Sequence, residues 1–403
     1  MQSKAYIIGY GQTKCGFFAE RDVRSLISDA YIKALDYSGI DPDEIQQMWL
    51  SHYPPQADLQ MTVGQVAIEA VGLGSRVGCI CIEQACASGG QAIHDAALAI
   101  ESGRYQCILL AGFGKMTDSM IPSGRDGLYL QAEGPFEESG FNPFYSHAGA
   151  VLSEPGMGTD WAKASHRTVE ALAAWNVLEY WYATKHTNAL CYGEPIPTQE
   201  ELMEHGGGGL ESAGCDGASM VILASKDFAK HYTDKLIYIA GVSHKLESSY
   251  YAKSLDYGYG SDLPRGVGGK IGYTHSVENC WKECFEQAGV EPKDLDLANT
   301  HDCTDFVACL QLEGMHHPLI PDNTSYEWII AGEAYPWGRL PLWTQGSARF
   351  GQPRGATCIN YLIENYVQLK EECGEWQVPI RNGVAAGMVS PGRPNAHILR
   401  REK

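Results

Sequence analysis

Cys86 is the residue whose type and position most directly suggest chemistry. The segment before it, residues 77–82, is short and contains β-branched residues, as in a buried strand. Residues 92–100 after it carry small and apolar side chains at helical spacing, as in a helix. Cys86 is therefore predicted to lie at the start of a helix, where unpaired N–H groups favour a thiolate. Ser88, Gly89 and Gly90 are small, so we expect a bulky acyl group to reach the sulfur. These features indicate a nucleophile for acyl transfer, and a buried structural cysteine is the alternative.

The composition argues against several classes of function. The chain has 403 residues, 13 cysteines and a formal net charge of -19. This charge repels nucleic-acid phosphates and anionic membrane surfaces, and no run of about 18 apolar residues is present, so we expect neither partner. The first ten residues lack the apolar core of a signal peptide, which predicts a cytoplasmic protein with free thiols. No C-x-x-C pair suggests a zinc site, and we predict neither a metal nor a covalently bound cofactor.

An internal duplication is the strongest architectural signal. Residues 39–45 and 289–295 share the pattern Gly-x-x-Pro-x-acidic-aliphatic at an offset of 250, the separation of Gly39 and Gly289. Each copy follows a predicted helix and precedes a predicted strand. So long an offset indicates two copies of one α/β unit, because solenoid repeats run about 20–50 residues. We predict an N-terminal half at residues 1–233, a C-terminal half at 234–403, and an inserted loop or lid region at about 116–210.

Two further correspondences relate residues of the two halves. The same offset pairs Ser51 with His301, so pseudo-twofold symmetry predicts that the ends of their strands lie near each other. A weaker match aligns residues 87–92 with residues 352–357, each opening a predicted helix. It predicts that Cys86 and the turn at residues 351–355 face each other across one cleft.

Four motifs in order carry a family resemblance. With the duplication, the Ala-Cys-Ala-Ser-Gly turn at 85–89, the segment 214–223 and the Gly-Gln-Pro-Arg-Gly-Ala-Thr segment at 351–357, the chain resembles the thiolase superfamily over nearly its whole length. The resemblance implies an α/β thiolase-like fold, with two duplicated βαβαβαββ halves in an αβαβα layered sandwich. His-Asp-Cys at 301–303 resembles the lipid-transfer-protein and archaeal branch, since biosynthetic thiolases carry Asn-Glu-Ala there.

The resemblance implies roles for four residues. Cys86 matches the acyl-accepting nucleophile, and His301 matches the position that helps bind the thioester oxygen. Gln352 stands where common thiolases have the histidine of Gly-His-Pro. Its amide can donate in an oxyanion hole but cannot act as a base. The N–H groups of Cys86 and of the Gly387 region are expected to form the first oxyanion hole.

Because Gln352 replaces the histidine of Gly-His-Pro, the sequence does not identify the base that activates Cys86. Common thiolases also carry a second cysteine near the C-terminus, whereas here no cysteine follows Cys373. His301 is the leading candidate for the base, and His52 and His147 are the alternatives. For each histidine alone, a surface or core role is equally compatible with the sequence.

The resemblance further implies a 3-oxoacyl-CoA thiolase reaction with coenzyme A as a substrate. The acyl group that the enzyme transfers is expected to be bulky or aromatic, such as that of 2-benzoylsuccinyl-CoA. Tyr335, Trp337 and Trp343, with Phe141, Phe144 and Tyr145 of the insertion, could line its pocket or could be core and interface residues. The candidate CoA-binding residues are Arg125, Arg265, Lys270 and Ser347.

Partners and rival functions complete the expectations. The resembling branch implies a homodimer core and a small, separately encoded zinc-ribbon/OB-fold partner. A retro-aldolase on the same fold, acting on a CoA-linked side chain with a tyrosine or histidine base, is one alternative. A non-catalytic subunit that only holds lipid or a partner is the other, and the retention of Cys86 together with His301 argues against it.

Overall fold

The structure is a computed structural model that describes residues 4–53, 61–118, 167–208, 214–246, 273–389 and 393–402. Both strands and helices are distributed along the whole described chain. The strands are β1 Ala5–Gln12, β2 Gln47–Ser51, β3 Cys79–Ile82, β4 Cys107–Gly114, β5 Gly217–Ser225, β6 Ile237–His244, β7 Leu297–Thr300, β8 Val384–Val389 and β9 Asn395–Arg401. The helices are α1 Val23–Ser38, α2 Val63–Ala70, α3 Ser88–Glu101, α4 Val169–Ala183, α5 Gln199–Glu204, α6 Lys226–Ala229, α7 Tyr273–Ala288, α8 Asp305–Glu313, α9 Ser325–Ile330, α10 Ser347–Phe350 and α11 Thr357–Lys370.

The nine described strands form one mixed sheet in the order β3-β2-β4-β5-β1-β6-β9-β8-β7. β2 pairs in parallel with β3 and β4, β7 pairs in parallel with β8, and the other pairs are antiparallel. The middle of the sheet is the short antiparallel contact of β1 with β6, where Ala5 faces Ile239. The order on one side of this contact mirrors the order on the other, as the predicted duplication requires. An isolated bridge from Ala298 to Leu342 takes the place that β3 has in the first copy.

The duplication at an offset of 250 is reproduced closely in the structure. α1 and α7 both have 16 residues, and their starts are 250 residues apart. Gly39 (φ 66°) and Gly289 (φ 63°), in the left-handed region that glycine adopts without strain, follow these two helices. A single-turn helix begins at Pro42 in one copy and at Pro292 in the other, because proline favours the first position of a helical turn.

The weaker correspondence has a different register from the predicted one. α3 and α11 both have 14 residues and begin at Ser88 and Thr357. Ser88 therefore corresponds to Thr357, and Cys86 to Gly355, whereas the predicted alignment placed Ala87 opposite Gln352. The error arose because the match aligned Gly90, which lies inside α3, with Gly355, which precedes α11.

The predicted α/β layered architecture is confirmed. α3 and α11 contact strands of both half-sheets, so they form a central layer, while α1 packs on the outer face of one half-sheet and α7 on that of the other. The central core contains the small side chains Ala92, Ala96 and Ala97 of α3 and the larger Tyr361 and Leu362 of α11. Small residues on one helix let the larger ones of its neighbour pack without voids.

Two further predictions concern the boundaries and the insertion. The predicted boundary at 233/234 falls just before β6, which begins at Ile237, and it stays a prediction. The region predicted as an inserted loop or lid contains the helix α4, whose Trp175, Leu178 and Tyr182 are buried. Among the described residues, no helix combines the length and the apolar character needed to cross a membrane.

Candidate active site

Cys86 lies in a tight turn between β3 and α3. Ala85 has φ 51°, a left-handed conformation that costs energy for any residue with a Cβ. The Ser88 hydroxyl holds the turn, since its Oγ accepts a hydrogen bond from the Gln84 N–H (2.7 Å) and donates to the Ala85 carbonyl (2.6 Å). The Glu83 carboxylate accepts from the Ala85 N–H at 2.7 Å. Such local strain is often kept where a side chain must be presented in one orientation.

The glycines after Cys86 pack against the second half of the chain. A Cβ on Gly90 would lie 2.3 Å from the Cβ of Asn395, and one on Gly89 would lie 3.0 Å from the Cβ of Cys358. The Cys358 thiol donates to the Cys86 carbonyl at 3.4 Å. The space directly beside these two glycines is therefore occupied by protein, and access of an acyl group to the sulfur stays a prediction.

The turn at residues 351–355 contacts the start of α3 from the other half, since a Cβ on Gly89 would lie 3.4 Å from the Gly355 carbonyl oxygen. A Cβ on Gly355 would lie 2.2 Å from the Phe113 carbonyl oxygen and 2.7 Å from the Cα of His52. The Gly355 carbonyl accepts from Ser51 Oγ at 2.6 Å, and the Gln352 carbonyl accepts from the Cys215 N–H at 3.0 Å. Only glycine at position 355 allows so close an approach. The end of β2, the start of α3 and this turn thus meet at one place.

His301 lies next to the 351–355 turn and is fixed by two hydrogen bonds of its backbone and one contact of its side chain. Its N–H donates to the Met388 carbonyl at 2.9 Å, and its carbonyl accepts from Gln311 Nε2 at 2.9 Å. Gln352 Nε2 lies 3.0 Å from His301 Nδ1. Ser51 and His301, paired by the duplication, therefore contact the same turn, Ser51 through Gly355 and His301 through Gln352. This agrees with the predicted proximity of the two strand ends.

The proton on His301 is placed by that contact. With the Gln352 amide nitrogen as donor, Nδ1 accepts and the imidazole proton resides on Nε2. Burial, aided by the charges of Arg354 and Arg393, lowers the pKa of His301 to about 3, so the ring is neutral near pH 7. His301 Nε2 is buried and has no hydrogen-bond partner among the described residues. The arrangement offers a neutral N–H donor, which suits a carbonyl oxygen better than it suits a proton acceptor.

His52 has the opposite arrangement. Its Nδ1 lies 2.6 Å from the Tyr53 carbonyl oxygen, which can only accept, so Nδ1 carries the proton and Nε2 carries the lone pair. The ring stacks on Phe113 with centroids 6.5 Å apart. Of the two described histidines predicted as bases, His52 therefore has the tautomer that a base needs.

Two arginines and a tyrosine of this region escaped the sequence-based predictions. Arg354 is only 4% exposed, and its guanidinium carbon lies 5.3 Å from the ring centroid of Tyr53, which is fully buried. Burial raises the pKa of Tyr53, the charge of Cys86 adds to this, and the charges of Arg354 and Arg393 oppose it. One sequence signal was available, since an arginine stands among small residues in the 351–357 segment.

A buried carboxyl cluster supports the backbone beside His301. Asp302 Oδ1 accepts from the Tyr361 hydroxyl at 3.2 Å, and Ser347 Oγ lies 3.4 Å from the same hydroxyl. Burial raises the pKa of Asp302. Burial and the neighbouring Asp302 raise the pKa of Glu179 well above its usual range, so Glu179 keeps its proton. Ser347, predicted as a CoA contact, is fully buried in this cluster.

Gly387, which was predicted to contribute to the oxyanion hole, is one of the residues that the structure describes. Gly387 is inside β8, paired with Asn299 of β7 and His397 of β9, and a Cβ on it would lie 2.4 Å from the His397 ring. An amide within the sheet ladder is poorly available to an oxyanion, which argues against the role predicted for Gly387. The predicted residues His147, Arg125, Arg265, Lys270, Phe141, Phe144 and Tyr145 lie outside the described residues.

The aromatic residues before residue 351 serve the core and the surface. Trp343 is fully buried, with its ring 4.4 Å from that of Trp175 and its Nε1 donating to the Thr300 carbonyl at 3.0 Å. Trp337 is 68% exposed and stacks on Tyr335 with centroids 4.7 Å apart. Trp343 is thus a core residue and Trp337 a surface residue, and a role for either in an acyl pocket stays a prediction.

The described residues hold no group of three or more His, Cys, Asp or Glu side chains that could bind a metal ion. A cavity of about 690 Å³ opens beside α7 and the turn 289–294, and no predicted site residue lines it. The reactive groups described around Cys86 are its thiol, two histidines, two guanidinium groups and the phenol of Tyr53.

Fold and site together define an α/β protein of two mirrored halves that presents a cysteine at the start of a central helix. Residues 5–134 match the family model "Thiolase, N-terminal domain", and residues 270–398 match "Thiolase C-terminal domain-like". The chain belongs to the thiolase family, and the predicted resemblance is confirmed.

Individual relatives agree with this assignment. An acetyl-CoA acetyltransferase of Methanocaldococcus jannaschii is 28% identical over 94% of this chain and 93% of its own length. The benzoylsuccinyl-CoA thiolase subunit BbsB of Thauera aromatica is 25% identical over 97% of this chain and 96% of its own. The solved Ltp2-ChsH2(DUF35) aldolase superposes with a TM-score of 0.74 and 16% identity, covering 99% of this chain and 98% of that one.

Proposed function

We propose that the protein is an acyl-CoA acyltransferase of the thiolase type. The Cys86 thiolate attacks the ketone of a 3-oxoacyl-CoA, the bond between its second and third carbons breaks, and the departing acyl-CoA enolate takes up a proton. The thiolate of a second coenzyme A then attacks the Cys86 thioester and releases the enzyme sulfur. The strained turn that presents Cys86 beside the 351–355 turn is the observation that carries this proposal.

His301 supplies the electrophilic assistance in this scheme. Its buried Nε2–H is the donor for a thioester or ketone oxygen, and Gln352 keeps the proton on that nitrogen. A preorganised donor of this kind is worth about 10²–10³ in kcat. Gln352 is thus a positioning residue that acts through His301.

Activation of Cys86 then depends on a second group. His52 has the required lone pair on Nε2, and its neighbour Tyr53 lies within the electrostatic range of Cys86. The positive charge of Arg354 and the start of α3 stabilise negative charge in the same region. We assign proton removal to His52, with His147 as the alternative outside the described residues.

Trapping the acyl-enzyme tests the nucleophile. Intact-mass analysis after mixing the protein with a 3-oxoacyl-CoA should show one acyl adduct, and peptide mapping should place it on Cys86. Cys86→Ala should abolish the adduct, while Cys358→Ser, at the adjacent buried thiol, should retain it. An adduct of undiminished yield in the Cys86→Ala protein would contradict the proposal.

For the acyl group we propose a bulky or aromatic chain, such as that of 2-benzoylsuccinyl-CoA. The match to BbsB along 97% of this chain supports this choice. A comparison of aroyl-CoA, acetyl-CoA and straight-chain acyl-CoA as donors tests it. A preference for short aliphatic donors would count against it.

We also propose a homodimer core with a small zinc-ribbon/OB-fold partner. The solved Ltp2-ChsH2(DUF35) aldolase, which names Ltp2 together with a DUF35 protein, supports the partner. β3 is an edge strand with Ile80 42% exposed, which is compatible with pairing between two copies. Light scattering of the chain alone and after co-expression with the product of a neighbouring gene measures both. A monomer that acquires no partner would contradict them.

A retro-aldolase remains the second candidate, favoured by Tyr53 beside Cys86 and Arg354. In that reaction a tyrosine or histidine base takes the proton of the hydroxyl of a 3-hydroxyacyl-CoA, the bond between the second and third carbons breaks to give a carbonyl compound, and the released acyl-CoA enolate takes up a proton, with no covalent enzyme intermediate. Cleavage of such a substrate by Cys86→Ala, lost in Tyr53→Phe, would favour the aldolase. Cleavage of a 3-oxoacyl-CoA that is lost with Cys86→Ala, without cleavage of the 3-hydroxyacyl-CoA, would favour the acyltransferase.

A further inference from the structure

Cys79 and Cys81 form a pair of thiols on β3, which is the last strand at one edge of the described sheet. Residues two apart in a strand point to the same face, and here both side chains point to α2. A Cβ on Gly64 of α2 would lie 2.8 Å from Cys81 Sγ and 3.3 Å from Cys79 Sγ. The lack of a side chain at Gly64 therefore leaves the space in which the two sulfurs meet.

Cys81 differs from the other cysteines of the chain in its exposure. All 13 cysteines lie within the described ranges, and Cys81 is exposed, Cys79 is half-buried and the other eleven are buried. A small electrophile in solution therefore meets the Cys81 sulfur before any other. Exposure combined with a neighbouring second thiol is typical of cysteines that are oxidised reversibly.

A hydrogen bond between the two sulfurs decides which of them is charged. Cys79 donates to Cys81, and this bond lowers the pKa of Cys81 to about 6, with smaller contributions from His52 and the Gly64 N–H and against the effect of partial burial. The same bond, together with burial, raises the pKa of Cys79. Near pH 7 Cys81 is therefore a thiolate, the nucleophilic form of cysteine, while Cys79 keeps its proton.

We propose that Cys79 and Cys81 form a reactive dithiol that hydrogen peroxide converts into an intrachain disulfide. In the first step the Cys81 sulfur attacks one oxygen of peroxide, the O–O bond breaks, and the departing hydroxide takes a proton from solvent and becomes water. Cys81 is then a sulfenic acid. In the second step the Cys79 sulfur attacks the Cys81 sulfur, the S–O bond breaks, and the hydroxide leaves as water with the Cys79 proton. Peroxide gains two electrons and the two thiols lose two.

The spacing along the strand permits this disulfide near the limit of its range. Residues two apart in a strand have Cα atoms about 6.6 Å apart, and disulfides occur up to about 6.8 Å. A bond at this limit is strained, which makes it easy for thiol reductants to open. Oxidation of the pair is therefore expected to be reversible, and it is chemistry separate from the acyl transfer proposed for Cys86.

Peptide mapping of the Cys86→Ala protein tests the proposal, because this variant lacks the nucleophile of the proposed acyl transfer. Trypsin releases residues 77–104 as one peptide, in which Cys79 and Cys81 are then the only cysteines. After treatment with stoichiometric hydrogen peroxide and alkylation, this peptide should lack two hydrogens and carry no alkyl group, and dithiothreitol should restore both thiols. Cys107, buried on β4, should stay reduced.

Single replacements in the same background separate the two roles. Cys79→Ser keeps a hydrogen-bond donor but offers no second sulfur, so oxidation should stop at a sulfenic acid that dimedone captures. Cys79→Ala removes the donor and should move the midpoint of iodoacetamide labelling of Cys81 from about pH 6 toward pH 9. Cys81→Ser should leave Cys79 reduced. A peptide 77–104 that peroxide leaves unchanged, or a disulfide that joins two chains, overturns the proposal, and neither result bears on the acyl transfer at Cys86.

Discussion

At the scale of single residues, one hydrogen bond separates two possible roles of His301. Gln352 Nε2 donates a hydrogen bond to His301 Nδ1 at 3.0 Å, so the ring proton of His301 lies on its own Nε2, which can donate. Burial lowers the pKa of His301 to about 3, so the ring stays neutral. A histidine in the place of Gln352 could itself exchange protons, whereas an amide cannot. In the proposed mechanism, Gln352 in place of the Gly-His-Pro histidine therefore makes His301 a donor and leaves proton removal to another residue.

Replacement of His301 by asparagine distinguishes a donor from a base. Asparagine retains an N–H donor but cannot accept a proton at neutral pH. His301→Asn should therefore keep much of the activity, whereas His301→Ala should lose about 10²–10³ in kcat. Steady-state kinetics on a 3-oxoacyl-CoA measure both variants, and equal, deep losses would instead identify His301 as a base.

Gln352 should act on kcat through the tautomer of His301. Gln352→Leu has a similar volume but removes the bond to Nδ1, so the ring can rotate or place its proton on the wrong nitrogen. We expect kcat to fall about 10- to 100-fold, less than for loss of the donor itself, with little change in KM. An ¹⁵N spectrum of the imidazole reports the tautomer directly. Unchanged tautomer and unchanged kcat would refute the positioning role.

At the scale of elements, the site depends on how closely α3 and α11 approach each other. Gly89 and Gly90 of α3 face Cys358 of α11 and Asn395 of β9 at distances too short for a Cβ. The start of the helix that carries Cys86 is thereby fixed by the opposite half of the chain. Packing at these glycines controls the position of the sulfur.

Gly90→Ala tests this packing. Alanine favours a helix by about 1 kcal/mol over glycine, but its Cβ would lie 2.3 Å from that of Asn395, and overpacking costs about 1–3 kcal/mol. We therefore expect a net loss of unfolding free energy and a larger loss of activity. Leu98→Ala, on the exposed face of the same helix, should change stability by less than about 0.5 kcal/mol. Chemical denaturation measures both, and a stabilised Gly90→Ala protein would contradict the packing.

Local signals explain which elements were predictable. The glycine caps and Pro-acidic turns at 39–45 and 289–295 act over a few residues, so both helix ends and the offset were predicted correctly. The start of α11 was misaligned because no side-chain cap marks the start of either α3 or α11. Gly387 was expected to contribute an N–H to the oxyanion hole, yet it lies inside β8, which continues to Val389 and pairs with β7 and β9 on its two sides.

Long-range contacts explain what could not be predicted at the site. Cys86 and His301 were identified by motif, but the bond from Gln352 to His301 joins two loops, and its effect on the tautomer needs coordinates. Burial of Arg354 over Tyr53 likewise depends on the packing of two halves that are distant in sequence.

At the scale of the whole molecule, a buried polar network connects the sheet with the central helix layer. His397 Nε2 accepts from Asn365 Nδ2 at 3.1 Å, and Asn365 Oδ1 accepts from Asn299 Nδ2 at 2.8 Å. The network continues from Asn299 through Thr344 to the buried Glu364. It lies within the second half and links β9, α11 and β7.

Because His397 is buried in this network, the free energy of unfolding depends on pH. Burial lowers the pKa of His397 to about 3, below the usual 6.5. Between these two values the unfolded chain binds a proton at this histidine and the folded chain does not. The contribution is complete above about pH 6.5 and is lost as the pH falls toward 3. His397→Gln should flatten the decline of unfolding free energy between pH 6.5 and 4.5. His316→Gln, at a side chain that is 55% exposed, should not, and parallel curves for wild type and His397→Gln would exclude this origin.

The mirrored strand order about the β1–β6 contact has a consequence for the ancestry of the chain. A single ancestral unit would have left one face of its sheet and its inner helix uncovered, and self-association about a twofold axis would have covered both. Fusion of two such units lets the two copies diverge. Here Gly355 stands at the position equivalent to Cys86, so only the first copy carries the cysteine at this place, while the second carries His301 and Gln352.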